Sequence, residues 1–83
     1  MMEYIATFYS HYGAMRFKKK CIANNLHAVV MPVPRSLSSS CGSCVKYEDH
    51  RDFVAPENPD EEIEQIVCIE TTGYRQVYKA KGA

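Results

Sequence analysis

The chain predicts an α+β fold, the ferredoxin-like βαββαβ plait, with a four-stranded antiparallel sheet covered on one face by two helices. Three observations lead there. Aromatic and β-branched residues crowd Tyr4-Ile5-Ala6-Thr7-Phe8-Tyr9 and again His27-Ala28-Val29-Val30-Met31-Pro32-Val33, as they do in strands. Between these runs Ala14, Phe17, Cys21 and Asn24 recur at helical spacing. A second helical pattern, Ile63, Ile66, Val67 and Ile69, lies between two further short strand-like runs at residues 44–48 and 74–78.

Taken in order, residues 4–9 form the first strand and Ser10 caps the helix that follows, since a short hydroxyl side chain can accept from the free N–H groups of the first turn. That helix runs to Asn24 or Asn25, where Asn tolerates the left-handed backbone of a helix exit. Its apolar face holds Cys21 in the core, while Arg16, Lys19 and Lys20 point away. Residues 27–33 form the second strand, placed at an edge or ending there because Pro32 and Pro34 donate no ladder hydrogen bond. Residues 44–48 alternate as a third strand. After a polar connection to Pro59, Asn58 offers a cap, Pro59 suits a first helical turn, and Asp60, Glu61 and Glu62 complement the positive helix end. The expected second helix ends at Gly73 and places Cys68 on an exposed face. Residues 74–78 give the fourth strand, and residues 79–83 a frayed tail.

At 83 residues the chain is expected to be one domain, and its hydrophobic content of 46%, with three Phe and six Tyr, is that of a globular protein. No run approaches the roughly 20 apolar residues of a membrane span. Nothing near the N-terminus resembles a signal peptide, so a cytoplasmic location is expected, where thiols stay reduced. Net charge is zero but the halves differ: residues 1–46 carry +5 and residues 47–83 carry −5. The basic excess lies around the first helix. Lacking interleaved aromatics, it reads as a solvated face, and nucleic acid is not an expected partner.

The chemistry concentrates at Pro34-Arg35-Ser36-Leu37-Ser38-Ser39-Ser40-Cys41-Gly42-Ser43-Cys44. Two cysteines at CxxC spacing in a loop between strands suit sulfur-atom transfer, disulfide exchange or metal ligation. Cys41 is the candidate nucleophile and Cys44 either a resolving thiol or a packing residue. A thiolate is favoured beside helix N-termini and cations. The plait brings Ser10 to Gly13 to the same end as this loop, with Tyr74 and Arg75 nearby. His11 and Arg35 are therefore expected neighbours of Cys41, and Gly42 and Ser40 the groups that turn the backbone and donate to an anion there. Thioredoxin-like exchange fits less well, because this CxxC opens a strand and not a helix. Zinc needs about four ligands and Cys41 with Cys44 supplies two, so metal binding stands as the alternative. His27 and His50 fall at the opposite end. No paired-carboxylate site and no phosphate loop is evident, and no cofactor is expected.

The opening Tyr4-Ile5-Ala6-Thr7-Phe8-Tyr9-Ser10 and the block Met31-Pro32-Val33-Pro34-Arg35-Ser36-Leu37-Ser38-Ser39-Ser40-Cys41-Gly42 resemble the selenium/sulfur carrier protein-like family of small bacterial proteins. The resemblance spans nearly the whole chain. It implies that Cys41 is the carrier thiol, with Arg35 and Gly42 in the same motif, and Cys44 lies just beyond that motif. The implied protein is a carrier more than an independent enzyme. It would take sulfur or selenium from a donor such as a cysteine desulfurase or selenocysteine lyase-like protein and pass it to an acceptor, as a monomer or a homodimer. The alternative is a small interaction or regulatory domain whose CxxC loop binds a metal or anion.

Overall fold

The computed structural model describes residues 2–50 and 62–80. Along the chain come β1 (Met2–Phe8), α1 (His11–Ala23), β2 (Ala28–Pro32), β3 (Ser43–Asp49), β4 (Ile63–Glu70) and β5 (Gly73–Lys79). The strands form one sheet in the order β2-β3-β1-β4-β5, antiparallel throughout. The class is α+β, as the sequence predicts. The four strands and two helices expected of a ferredoxin-like plait are not what the described residues show: these hold one helix and five strands.

The first half follows expectation, and its caps show why. Ser10 has extended backbone, and its Oγ accepts from the Gly13 N–H at 3.1 Å. At the other end Asn25 takes a φ of 61°, the Asn25 N–H donates to the Ile22 carbonyl and the Leu26 N–H to that of Cys21. This is the paired closure that satisfies the last carbonyls of a helix. Between the caps α1 buries Ala14 and Cys21, with Phe17 packed beside them, against Tyr4, Ala6 and Phe8 of β1 and Val45 and Tyr47 of β3. Four aromatic rings run through this layer. Tyr4 stacks on Tyr47 at 5.3 Å, Phe17 meets Tyr47 edge-on at 5.2 Å, and Phe8 touches Phe17 at 5.4 Å.

The sheet's other face carries a smaller apolar layer: Ile5, Cys44 and Val67, with Met31, Val33, Leu37 and Ile69 against them. β1 is consequently buried on both sides from Tyr4 to Phe8.

The correction concerns residues 62–73. The segment expected as a helix is β4, paired with β1 on one side and β5 on the other. Its i, i+3 spacing of Ile63 and Ile66 has a different origin. Phe8 pairs with Ile63 and Thr7 with Gln65, so Glu64 is an extra residue in β4, a β-bulge. The bulge shifts the alternation by one, so Ile63, Ile66 and Cys68 all reach the helix-covered layer while Val67 and Ile69 face the other. A strand buried on both faces reads as a continuous apolar run, and a bulge within it imitates helical spacing. Gly73 opens β5 after the turn at Thr71-Thr72, with φ at 137°. The supposed start signals at Asn58, Pro59, Asp60 and Glu61 lie outside the described residues, as do residues 81–83 of the expected tail. Lys79 belongs to β5, and the Ala80 N–H donates to the Glu64 carbonyl at 3.0 Å.

Two further expectations fall with the helix. Tyr74 and Arg75 start β5 at the end away from the thiol loop, where Arg75 Nε donates to Glu70 at 2.9 Å. Cys68 is fully buried in the helix-covered layer, not exposed. Replacing it by serine puts a hydroxyl among Tyr4, Ile66 and their neighbours, at a cost of about 1–3 kcal/mol. Urea denaturation should show Cys68→Ser losing that much. A loss below about 0.5 kcal/mol, the surface range, would contradict the β4 placement.

Candidate functional site

The thiol loop starts where β2 runs out of donors. Pro32 and Pro34 have no N–H; between them the Val33 N–H donates to the Gly42 carbonyl at 3.1 Å and closes the loop at its base. A turn follows, with the Leu37 N–H donating to Pro34 O at 3.0 Å, and Leu37 anchors the chain on the layer of Ile5, Cys44 and Val67. The serines then tie the loop to the sheet. Ser39 Oγ donates to the Phe8 carbonyl at 3.1 Å, and Gln65 Nε2 donates to Ser38 O at 3.4 Å. Ser40 donates twice to the Glu64 carboxylate, from N–H at 3.1 Å and from Oγ at 2.8 Å. Gly42 has a φ of 76°, a left-handed conformation costing other residues about 1–2 kcal/mol. That requirement fixes glycine beside Cys41.

The two cysteines of the motif part company here. Cys41 is half-buried; its Sγ donates to the Ser43 carbonyl at 3.4 Å and lies 3.8 Å from Ser39 Oγ. Its side chain borders the helix-covered layer. Cys44 is the second residue of β3, opposite Thr7, fully buried in the layer on the other face with Sγ 3.7 Å from Pro32 O. Burial pushes the Cys44 thiol above its ordinary pKa, with a smaller contribution from Cys41. In this position Cys44 packs with Ile5 and Val67. A pair split between two layers is poorly arranged to chelate one ion. Among the described residues no group of three or more His, Cys, Asp or Glu is arranged for a metal.

The expected neighbours are brought together unequally. His11 does reach the loop, with Nδ1 3.4 Å from Ser43 Oγ. His27 and His50 sit at the opposite end, His27 next to β2 where its carbonyl accepts from Glu48. Arg35 is exposed in the turn, and among the described residues no hydrogen bond or ion pair ties it to Cys41. Ser40 does donate to an anion, but that anion is Glu64.

Two residues were missed by sequence reasoning. Glu64 is the bulged residue of β4, and bulges redirect a side chain out of the regular alternation; here the carboxylate turns onto the loop. Glu62 immediately precedes β4. Its carbonyl accepts from the Tyr9 N–H at 2.9 Å and its carboxylate from Ser10 Oγ at 3.0 Å. It therefore occupies the N-terminal end of α1, where the helix dipole favours a negative charge. The approach is close: a Cβ on Gly13 would lie 2.5 Å from Glu62 Cβ, so only glycine fits. The expected second helix takes Glu62 as complementing its own positive end, whereas Glu62 serves the dipole of α1. Only the β-branched density of Ile63, Ile66, Val67, Ile69, Thr71 and Thr72 could have signalled the strand. Beside the loop, Ser38, Glu64, Gln65, Gln76 and Lys79 line an open polar cavity of about 280 Å³.

Residues 3–79 match the model of the family described as "Putative Se/S carrier protein-like". The chain belongs to that family. No curated protein and no solved structure matches it.

In this Se/S carrier-like chain the four cysteines differ sharply in access. Cys21, Cys44 and Cys68 are buried and only Cys41 is partly exposed. Burial, helped by Asp49, pushes the Cys21 thiol up to about 11. Brief alkylation at neutral pH followed by peptide mapping should label Cys41 first and the other three only after unfolding. Early labelling of Cys44 would mean that the start of β3 opens readily.

Proposed function

We propose that this protein is a sulfur or selenium carrier in which the Cys41 thiol holds the transferred atom. One observation carries the reading: in a chain of the Se/S carrier-like family, Cys41 alone among the four cysteines escapes burial, and it does so in a loop fixed by hydrogen bonds. A loop anchored to a rigid sheet can present a reactive group that a strand would bury.

The transfer is a thiol exchange. The Cys41 thiolate attacks the outer sulfur of a persulfide on a donor cysteine; the new bond forms to Cys41 Sγ, the donor's S–S bond breaks, and the donor cysteine leaves as its thiolate. Cys41 then carries S–S⁻, and delivery to an acceptor thiol repeats the exchange. A selenium atom follows the same course. No net oxidation or reduction occurs in either step. Cys44 is not required, since it is buried in another layer.

The competing reading, metal or anion binding through Cys41 and Cys44, makes different demands on the same variants. Wild type, Cys41→Ser and Cys44→Ser should be incubated with sodium polysulfide, passed through a desalting column, and weighed intact. Wild type and Cys44→Ser should each gain one sulfur, and Cys41→Ser none. Equal loading of all three would mean that an incidental thiol takes the atom. Failure of wild type to load, together with stoichiometric zinc in the purified protein, would replace the carrier reading with the metal-binding one.

A further inference from the structure

α1 has two apolar stripes, and the fold uses only one. Ala14, Phe17 and Cys21 face the sheet. On the outward side Tyr12, Met15, Lys19 and Ile22 follow at i, i+3, i+7 and i+10, within an arc of about 80° at 100° per residue. Tyr12 is 68% exposed, Ile22 55% and Met15 38%. Single exposed apolar residues are ordinary, but three on one solvent-facing stripe of a short helix, with Lys19 among them, are not what a merely solvated face requires. Such spacing is the pattern by which a helix lies in an apolar groove of a partner.

Charge selects the partner. Arg16, Lys18, Lys19 and Lys20 stand on α1, and residues 11–23 contain no acid. Arg16 lies over the Tyr12 ring, 5.4 Å from its centre. A second copy of the chain, joined helix to helix about a two-fold axis, would set these cations against themselves. Phosphates would use the cations and leave Met15 and Ile22 unexplained. A protein surface with an apolar centre and an acidic rim satisfies both.

Position selects which protein. The stripe begins at Tyr12, next to His11, whose ring reaches Ser43 between the two cysteines of the loop. The first turn of α1 is thus where the stripe and the thiol loop meet. We infer that the outward face of α1 is the docking surface for the enzyme that donates sulfur or selenium, through an acidic, apolar-centred patch next to that enzyme's own transferring cysteine. This rests on the carrier reading for its chemistry, though not for the binding itself.

The experiment separates the two. Wild type and the surface variants Tyr12→Ala and Lys19→Glu are first shown by circular dichroism to be folded. Each is loaded from two sources, a pyridoxal-phosphate cysteine desulfurase with L-cysteine and sodium polysulfide, and weighed intact over time. Binding of Cys41→Ser protein to the same desulfurase is measured without any transfer. Loading from the enzyme should fall about tenfold in both variants and in wild type at raised salt, as expected for a charge-steered encounter, while loading from polysulfide stays unchanged. Cys41→Ser should still bind, and the same protein carrying Tyr12→Ala as well should not. Equal enzyme-dependent loading of variants and wild type would overturn the docking face. So would wild type that takes sulfur from polysulfide but neither binds nor loads from the enzyme, a Lys19-dependent association with single-stranded RNA that displaces the enzyme, or self-association lost in Tyr12→Ala. Binding that depends on Tyr12 and Lys19 without loading from either source would uphold the docking face and remove the carrier reading.

Discussion

The ladder between β1 and β4 is the constraint on which the rest of the molecule depends. β1 lies at the middle of five strands and is buried on both faces, so its partners must match it in register. β4 does so with one residue to spare. The bulge absorbs that residue as Glu64 and swings its carboxylate out of the sheet toward Ser40. Just before it, Glu62 stays close enough to β1 for its carbonyl to take the Tyr9 N–H, which brings its carboxylate to the cap of α1. One strand start therefore holds the helix and the thiol loop together. Among the described residues the two also meet directly at the His11–Ser43 contact of 3.4 Å. The geometry of the site is set from behind by two acids that do not belong to its motif.

Much of this was legible in the sequence where local signals agree. Ser10, the Ala14–Phe17–Cys21 stripe and Asn25 each favour the same helix, and the two prolines after Met31 mark the end of a strand. The βα unit follows from those signals, and the return of the β2–β3 connection to the helix N-terminus from the plait topology, whose β1, β2 and β3 pairing the structure keeps. Residues 63–70 were not legible because two physical causes yield one pattern. A helix buries one face with apolar residues three and four apart; a central strand buries both faces, and a bulge moves Ile63 and Ile66 onto the same side. Acids ahead of the run reinforced the wrong choice, since they do complement a helix dipole, though it is the dipole of α1. β-branched side chains restrict χ1 and are less at ease in helices, the one local signal in this run that favours a strand; pairing with β1 and β5 is what the structure shows.

The CxxC motif teaches the same lesson at smaller scale. Its spacing suggests a working pair, yet the sheet claims Cys44 and leaves Cys41. β3 begins at Ser43, so Cys44 alternates with Val45 and must enter the layer opposite the helix, while Cys41 precedes the strand behind the left-handed Gly42 and is free of that alternation. Burial then makes Cys44 harder to ionise. Equal spacing in sequence became unequal exposure because a strand boundary falls inside the motif. Cys68 shows the converse: a helical wheel placed it in solvent, and strand alternation buries it completely.

Charge is distributed with the same economy of position. Lys19 and Lys20 of α1 are exposed on the helix that carries Tyr12, Met15 and Ile22, whereas the acids at the start of β4 point inward to the cap and the loop. A molecule polarised in this way orients an approaching charged surface before contact, with a range near one Debye length. For the carrier reading, orientation matters as much as affinity, because a transferable atom must meet the attacking sulfur within bonding reach. α1 acts here as a ruler. From Tyr12 to Ile22 the outward stripe spans about 15 Å at 1.5 Å per residue, and Glu62 pins its first turn to the same strand that pins the thiol loop through Glu64. A partner aligned along the stripe would thus be aligned with Cys41 by two hydrogen-bonded carboxylates two residues apart. That linkage gives Gly13 a role beyond the cap: any side chain there would push Glu62 away and shift the helix relative to the loop, even with both Cys41 and the stripe left intact.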